Sequence, residues 1–150
     1  MPRKIVEVTQ TAVDTTTELA FSTFLSAEGK AGWRINSARF YWPNMELVTT
    51  EGNMTAALNT ETGTTDFGDE SHLLLGSWNF EVAGTAGNML LVPLKMDDFT
   101  IGERITVQPE LFLRCTSSST GVANKIVMHL DYDVVKLSDI DVLRLLAGGA

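Results

Sequence analysis

From Ile126 to Val134 apolar and polar positions alternate. Ile126, Met128, Leu130, Tyr132 and Val134 take one phase, and His129, Asp131 and Asp133 take the other. A period of two is that of a long strand with one buried face and one wet face. At Ser138 the pattern turns helical, with Ile140, Leu143 and Ala147 on one stripe and Val142, Leu145 and Leu146 widening it. Ser138 is a good N-cap, Asp139 and Asp141 suit the positive end of a helix dipole, and Gly148-Gly149 stops the element. The chain thus ends in a strand that hands over to a helix at 138–147.

Upstream, the same alternation predicts strands between about residues 4 and 136. Lys4 to Val13 reads as an edge strand. Glu18 to Ser26 follows, with Leu19, Phe21 and Leu25 on one face and Phe24 on the other. Trp33 to Trp42 is rich in aromatic and β-branched residues, which suit a pleated, half-buried surface. Met45–Thr50 and Met54–Leu58 are short strands, and residues 59–70 form a long polar, acidic loop. His72 to Val82 places Leu74, Trp78, Phe80 and Val82 on one face. Met89–Leu94 reads as a short buried strand, residues 97–102 as a connector, and Arg104–Cys115 as one alternating strand. About eight or nine strands with no helix between them cannot form parallel βαβ units. The expectation is an all-β, antiparallel β-sandwich, an eight-stranded jelly roll, closed by a short C-terminal α-helix.

Composition narrows this picture. The chain has 150 residues and 44% hydrophobic content, which suits a single globular domain over 1–150. No apolar run approaches the roughly 18 residues of a membrane span. The opening residues lack the apolar stretch of a signal peptide, so the chain is expected to fold where it is made. Cys115 is the only cysteine, which excludes an internal disulfide and a Cys-based zinc site. It falls on the apolar phase of Leu111 and Leu113, as a buried thiol would. The net charge of −8 argues against nucleic acid as a main partner, because phosphate neutralisation needs a basic patch. Only Arg3-Lys4 forms an N-terminal basic pair.

Candidate chemistry is sparse. His129, Asp131 and Asp133 share one strand face and have the donor types of a divalent metal set. Side chains in line on one strand point in parallel, however, so a solvated face is the expected role. Asp66, Asp69 and Glu70, or Asp97 and Asp98, have oxygen donors for calcium but not the spacing of a known calcium loop. Only His72 and His129 are available to a nucleophilic triad, and no Gly-x-Ser-x-Gly elbow or phosphate-binding glycine loop occurs. No enzymatic role and no cofactor is expected. Trp33, Trp42, Trp78, Phe40 and Tyr41 are either core or a sugar-stacking platform. By alternation Trp33 and Tyr41 take the phase opposite to Phe40 and Trp42, which places one set outside. A helix of about ten residues does not hold alone in water, so 138–147 must dock on its own sandwich or on a neighbouring subunit. Ile140, Leu143 and Leu146 are the candidate oligomer contacts.

The succession of short antiparallel strands around a long middle loop resembles a single jelly-roll virus capsid protein. The closing run from Asn124 through Tyr132-Asp133-Val134-Val135-Lys136-Leu137-Ser138 into Leu143, Leu145 and Leu146 is similar to the ends of small viral structural proteins. The resemblance implies a self-assembling capsid or shell-decorating protein, made in the host cytoplasm and residing in the virion. Its partners would be copies of itself and other virion proteins. The chain departs from many coat proteins in lacking a basic arm, which leaves genome charge to another protein or to counterions. A carbohydrate- or other ligand-binding sandwich using the aromatic set is the alternative from a different class.

Overall fold

The computed structural model describes residues 2–26, 30–43, 52–62, 72–83, 90–100, 104–118 and 121–147. Along these run β1 (Arg3–Thr9), β2 (Thr16–Ser22), β3 (Ala31–Tyr41), β4 (Gly52–Asn59) and β5 (His72–Ala83). Then come β6 (Leu90–Thr100), β7 (Arg104–Thr106), β8 (Glu110–Ser118), β9 (Lys125–Lys136) and α1 (Asp139–Ala147). The expected strand at Met45–Thr50 lies outside the described residues.

The strand pairs define the topology. β1 pairs with β9, β2 with β8, β3 with β7 and β4 with β5, all antiparallel. Four outgoing strands are met in reverse order by four returning ones, which is a long hairpin folded over itself. Two more antiparallel pairs, β9 with β3 and β8 with β4, wrap that hairpin into sheets ordered β1-β9-β3-β7 and β2-β8-β4-β5-β6. The fold is a jelly-roll β-sandwich with β6 added as a ninth strand at an edge.

Between the sheets lies one apolar core. Val6, Val8, Trp33, Ile35, Ile126, Met128 and Leu130 face Met54, Leu58, Leu74, Trp78, Leu111 and Leu113. The inner phase of β9 is the one its alternation predicts as far as Leu130. Beyond it, Tyr132 is half-buried and Val134 is exposed, contrary to expectation. Val134 stands opposite Trp33, whose ring instead stacks on Tyr132 at 3.8 Å.

Three other expectations fail for local reasons. The β3–β9 register shifts between Ile35 and Ser37, so Asn36 is an extra, bulged residue. A bulge reverses the phase of every later residue in its strand. Trp33 and Ile35 before it, and Phe40 and Trp42 after it, therefore all point inward, and of the two sets Tyr41 alone is outside. The run from Arg104 to Cys115 is two strands in different sheets, because Pro109 interrupts the ladder where the chain crosses over. Finally, β6 extends to Thr100 and absorbs most of the expected connector. Among the described residues it pairs with β5 alone, and Pro93 sits at a shift in that register.

One end of the sandwich is plugged by a buried polar network that holds turns rather than chemistry. Gln10 donates from Nε2 to the Thr15 carbonyl (2.5 Å) and the Ser117 hydroxyl (2.9 Å). Its Oε1 accepts from the backbone N–H (2.8 Å) and Nδ2 (3.0 Å) of Asn124. The Trp42 indole N–H donates to Asn124 Oδ1 at 3.0 Å. Buried polar groups satisfied this fully fix a unique geometry.

Candidate functional site: an ion-paired sheet face and an exposed apolar helix

His129, Asp131 and Asp133 do lie on the outer face of β9, as the alternation predicts, but each is engaged separately. Asp131 accepts from Arg3 Nε at 2.7 Å, from Arg3 Nη2 at 3.2 Å and from the Ser37 hydroxyl at 3.0 Å. The register that sets Arg3 beside Asp131 across β1 and β9 makes this bidentate pair possible. Asp133 accepts from Asn36 Nδ2 at 2.8 Å and Arg34 Nη2 at 3.2 Å. The bulged Asn36 thus serves both the register and this carboxylate. The His129 ring packs against Tyr41, centroids 4.8 Å apart.

The electrostatics come from these bonds. Arg3 and then Ser37 hold Asp131 below its ordinary pKa, and Asn36 and then Arg34 do the same for Asp133. Both carboxylates are stabilised as anions by partners already in place. Among the described residues, no three His, Cys, Asp or Glu side chains group as metal ligands would. The outer face of β1-β9-β3 is a laced polar surface that ties β1 to β9, its one strand partner among the described residues.

Asp97 and Asp98 are successive residues of β6, opposite Ser77 and Gly76 of β5. Asp66, Asp69 and Glu70 lie outside the described residues. Cys115 is buried with its Sγ 3.3 Å from Met54 Sδ, and burial pushes its thiol up to about 12. It is an inert core residue at neutral pH. Of the five aromatics weighed as a sugar platform, Trp33, Phe40, Trp42 and Trp78 are core, and Tyr41 alone is exposed.

α1 stands apart. Ser138 caps it: its hydroxyl oxygen accepts from the Asp141 N–H at 3.2 Å and its O–H donates to the Asp141 carboxylate at 2.7 Å. That bonding holds the Asp141 carboxyl below its usual range. Lys30 pairs with Asp139 at 3.0 Å, and the Leu137 N–H donates to the Lys30 carbonyl at 2.7 Å, so the junction with β3 is fixed. From that anchored start the helix buries a single residue, Val142. Ile140, Leu143 and Leu146, the oligomer contact candidates, are 69%, 67% and 42% exposed. Residues three apart lie on one helix face, so these form a continuous apolar stripe.

Two features escaped the sequence. Arg114, on the outer face of β8, is buried and ion-paired with Glu18, its cross-strand neighbour on β2. Alternation alone makes it a solvent residue, and only the register reveals the pair. Phe24 is exposed with a positive φ, a conformation that a sequence pattern does not register. No family model matches the chain, and no curated protein matches it.

Proposed function

We propose that this chain is a virion structural protein, a capsid or shell-decorating subunit, that self-assembles through its jelly-roll domain. The observation that carries the reading is the stripe of Ile140, Leu143 and Leu146 on a helix whose one buried residue is Val142. Nine residues of isolated helix are not stable in water, and a contiguous apolar stripe on a capped, anchored helix is what a neighbouring copy would cover. The jelly roll supplies a two-sheet block of the kind suited to closed symmetric packing.

The ion-paired β1 edge fits the same role. Arg3 is committed to Asp131, and the overall charge is −8. Genome charge would be carried by another virion protein or by counterions. The carbohydrate-binding alternative loses its platform once four of its five aromatics are core.

The test is the particle size of the purified full chain by light scattering and negative-stain imaging, across salt and calcium. Uniform closed particles are expected. A monomer under every condition overturns the reading.

A further inference from the structure

Phe24 is 86% exposed, yet it is held more firmly than any loop tip needs to be. Its φ is 57°, a left-handed conformation that is unusual for a bulky residue and marks strain retained for a purpose. Both neighbours are tied down. The Thr23 N–H donates to the Pro109 carbonyl at 3.0 Å, and its hydroxyl donates to the Gln108 carbonyl at 2.7 Å. Leu25 packs against the core, and the Phe24 N–H donates to the Ser22 hydroxyl at 3.0 Å. The ring is thereby pushed outward in a fixed direction. Lys4 Nζ lies 5.7 Å from its centroid and 6.0 Å from that of Phe21, within cation–π range. Among the described residues Lys4 has no ion pair.

Next to this knob is a cleft of about 420 Å³, lined by Thr60, Glu61, Thr62, Gln108, Pro109, Glu110 and Phe112. The two features adjoin, because Gln108 and Pro109 of the cleft wall are the acceptors that hold Thr23. Phe112 and Pro109 offer apolar contact, and Glu61 and Glu110, without ion pairs among the described residues, offer negative charge.

From this geometry we infer that Phe24 and Lys4 form an anchor that enters the Thr60–Phe112 cleft of a second copy of this chain, reciprocally about a two-fold axis. Knob and socket on one surface patch are what an isologous contact requires. The signs match: a cation rides beside the inserted ring, and two carboxylates rim the socket. On a chain of net charge −8, such local complementarity orients copies that otherwise repel. A buried aromatic at the centre of a small patch is the usual anchor of an interface. The inference rests on the self-assembly reading and adds one of its contacts to that of α1.

The test uses the full chain and three surface variants, each checked for an unchanged fold by circular dichroism and thermal melting. Phe24→Asn removes the ring while suiting the left-handed backbone, so it should melt no lower than the parent. Its assembly should require at least tenfold higher protein concentration. Lys4→Glu and Glu110→Lys should each weaken assembly similarly, because each sets like charges against one another in both halves of the two-fold contact. An equimolar mixture of these two should recover it, since a mixed pair has opposite charges in both halves. If the parent chain assembles and all three variants assemble as it does, the anchor is wrong and self-assembly stands. If the single variants fail and the mixture does not recover, the pairing of Lys4 with the acidic rim is wrong. A parent chain that stays monomeric overturns both.

Discussion

The ring of Phe40 lies in the space a side chain on Gly76 would need. A Cβ built on Gly76 would stand 2.8 Å from Phe40 Cδ2 and 3.2 Å from the Trp78 ring. Gly76 is on β5 and Phe40 on β3, so this close approach joins the two sheets. Phe40 also meets Trp78 edge-on, centroids 6.4 Å apart, and Trp42 tilts against the same Trp78 ring at 6.3 Å. The absent Cβ is therefore what lets three aromatics share one layer. Gly76→Ala should push a packed ring off its rotamer and destabilise the fold by about 1–3 kcal/mol. Urea unfolding followed by tryptophan fluorescence measures this directly, and an unchanged midpoint would contradict the packing described.

The bulge at Asn36 is expected to be indispensable as a residue and dispensable as a side chain. Deleting it would turn either Trp33 and Ile35 or Phe40 and Trp42 to solvent, since one position inverts the phase. Each aromatic withdrawn from the core costs about 3–5 kcal/mol, against a typical total stability of about 5–15 kcal/mol. The deletion should leave no folded protein. Asn36→Ala keeps the extra residue and removes only the exposed bond to Asp133, so it should cost about 1 kcal/mol or less. Chemical denaturation of the two variants separates register from hydrogen bonding.

Acid should loosen the β1-β9-β3 face specifically. Asp131 and Asp133 have folded pKa values below the ordinary 3.8, Asp131 chiefly through Arg3 and Asp133 chiefly through Asn36. In that window the unfolded chain binds more protons than the folded one, so stability rises with pH there. Their contribution is full above the ordinary carboxylate range and is lost as pH falls through the lowered values. The melting temperature of the parent should thus fall progressively below about pH 4. The Asp131→Asn, Asp133→Asn double variant should start lower at neutral pH and fall less. Because both ion pairs reach solvent, added salt should shrink the difference. Parallel pH profiles for the two proteins would contradict this account.

What could be read from the chain divides along physical lines. The β9 alternation through Leu130 and the Ser138 cap are local signals, and the structure carries both. The antiparallel sandwich came from strands without helices between them. The phase of Phe40 and Trp42 did not, because one bulged residue reverses it without changing composition. The division of Arg104–Cys115 was signalled by Pro109, but alternation on both sides of it masked the crossing. Arg3 with Asp131, and Arg114 with Glu18, depend on which strands pair, which no single stretch encodes. At the candidate site the apolar positions of α1 were legible from their spacing. The conformation of Phe24 was not, since its neighbours' bonds to Gln108 and Pro109 impose it.

Adjacent residues of α1 offer the sharpest separation of folding from assembly. Val142 is the helix's buried residue, and Leu143 is two-thirds exposed. Val142→Ala removes two methyl groups from an apolar contact, worth about 0.8 kcal/mol each, and should lower stability by about 1–2 kcal/mol. Leu143→Asp removes nothing the monomer has buried, and its fold should melt within about 0.5 kcal/mol of the parent. In an assembly the ranking should invert. A carboxylate set into a desolvated apolar contact without a partner is strongly unfavourable, so Leu143→Asp should abolish particles, whereas Val142→Ala should still form them when kept below its melting temperature. Thermal melting and light scattering on the same two samples check both halves. If Leu143→Asp forms particles like the parent, the α1 stripe is not the contact, whatever else holds the shell.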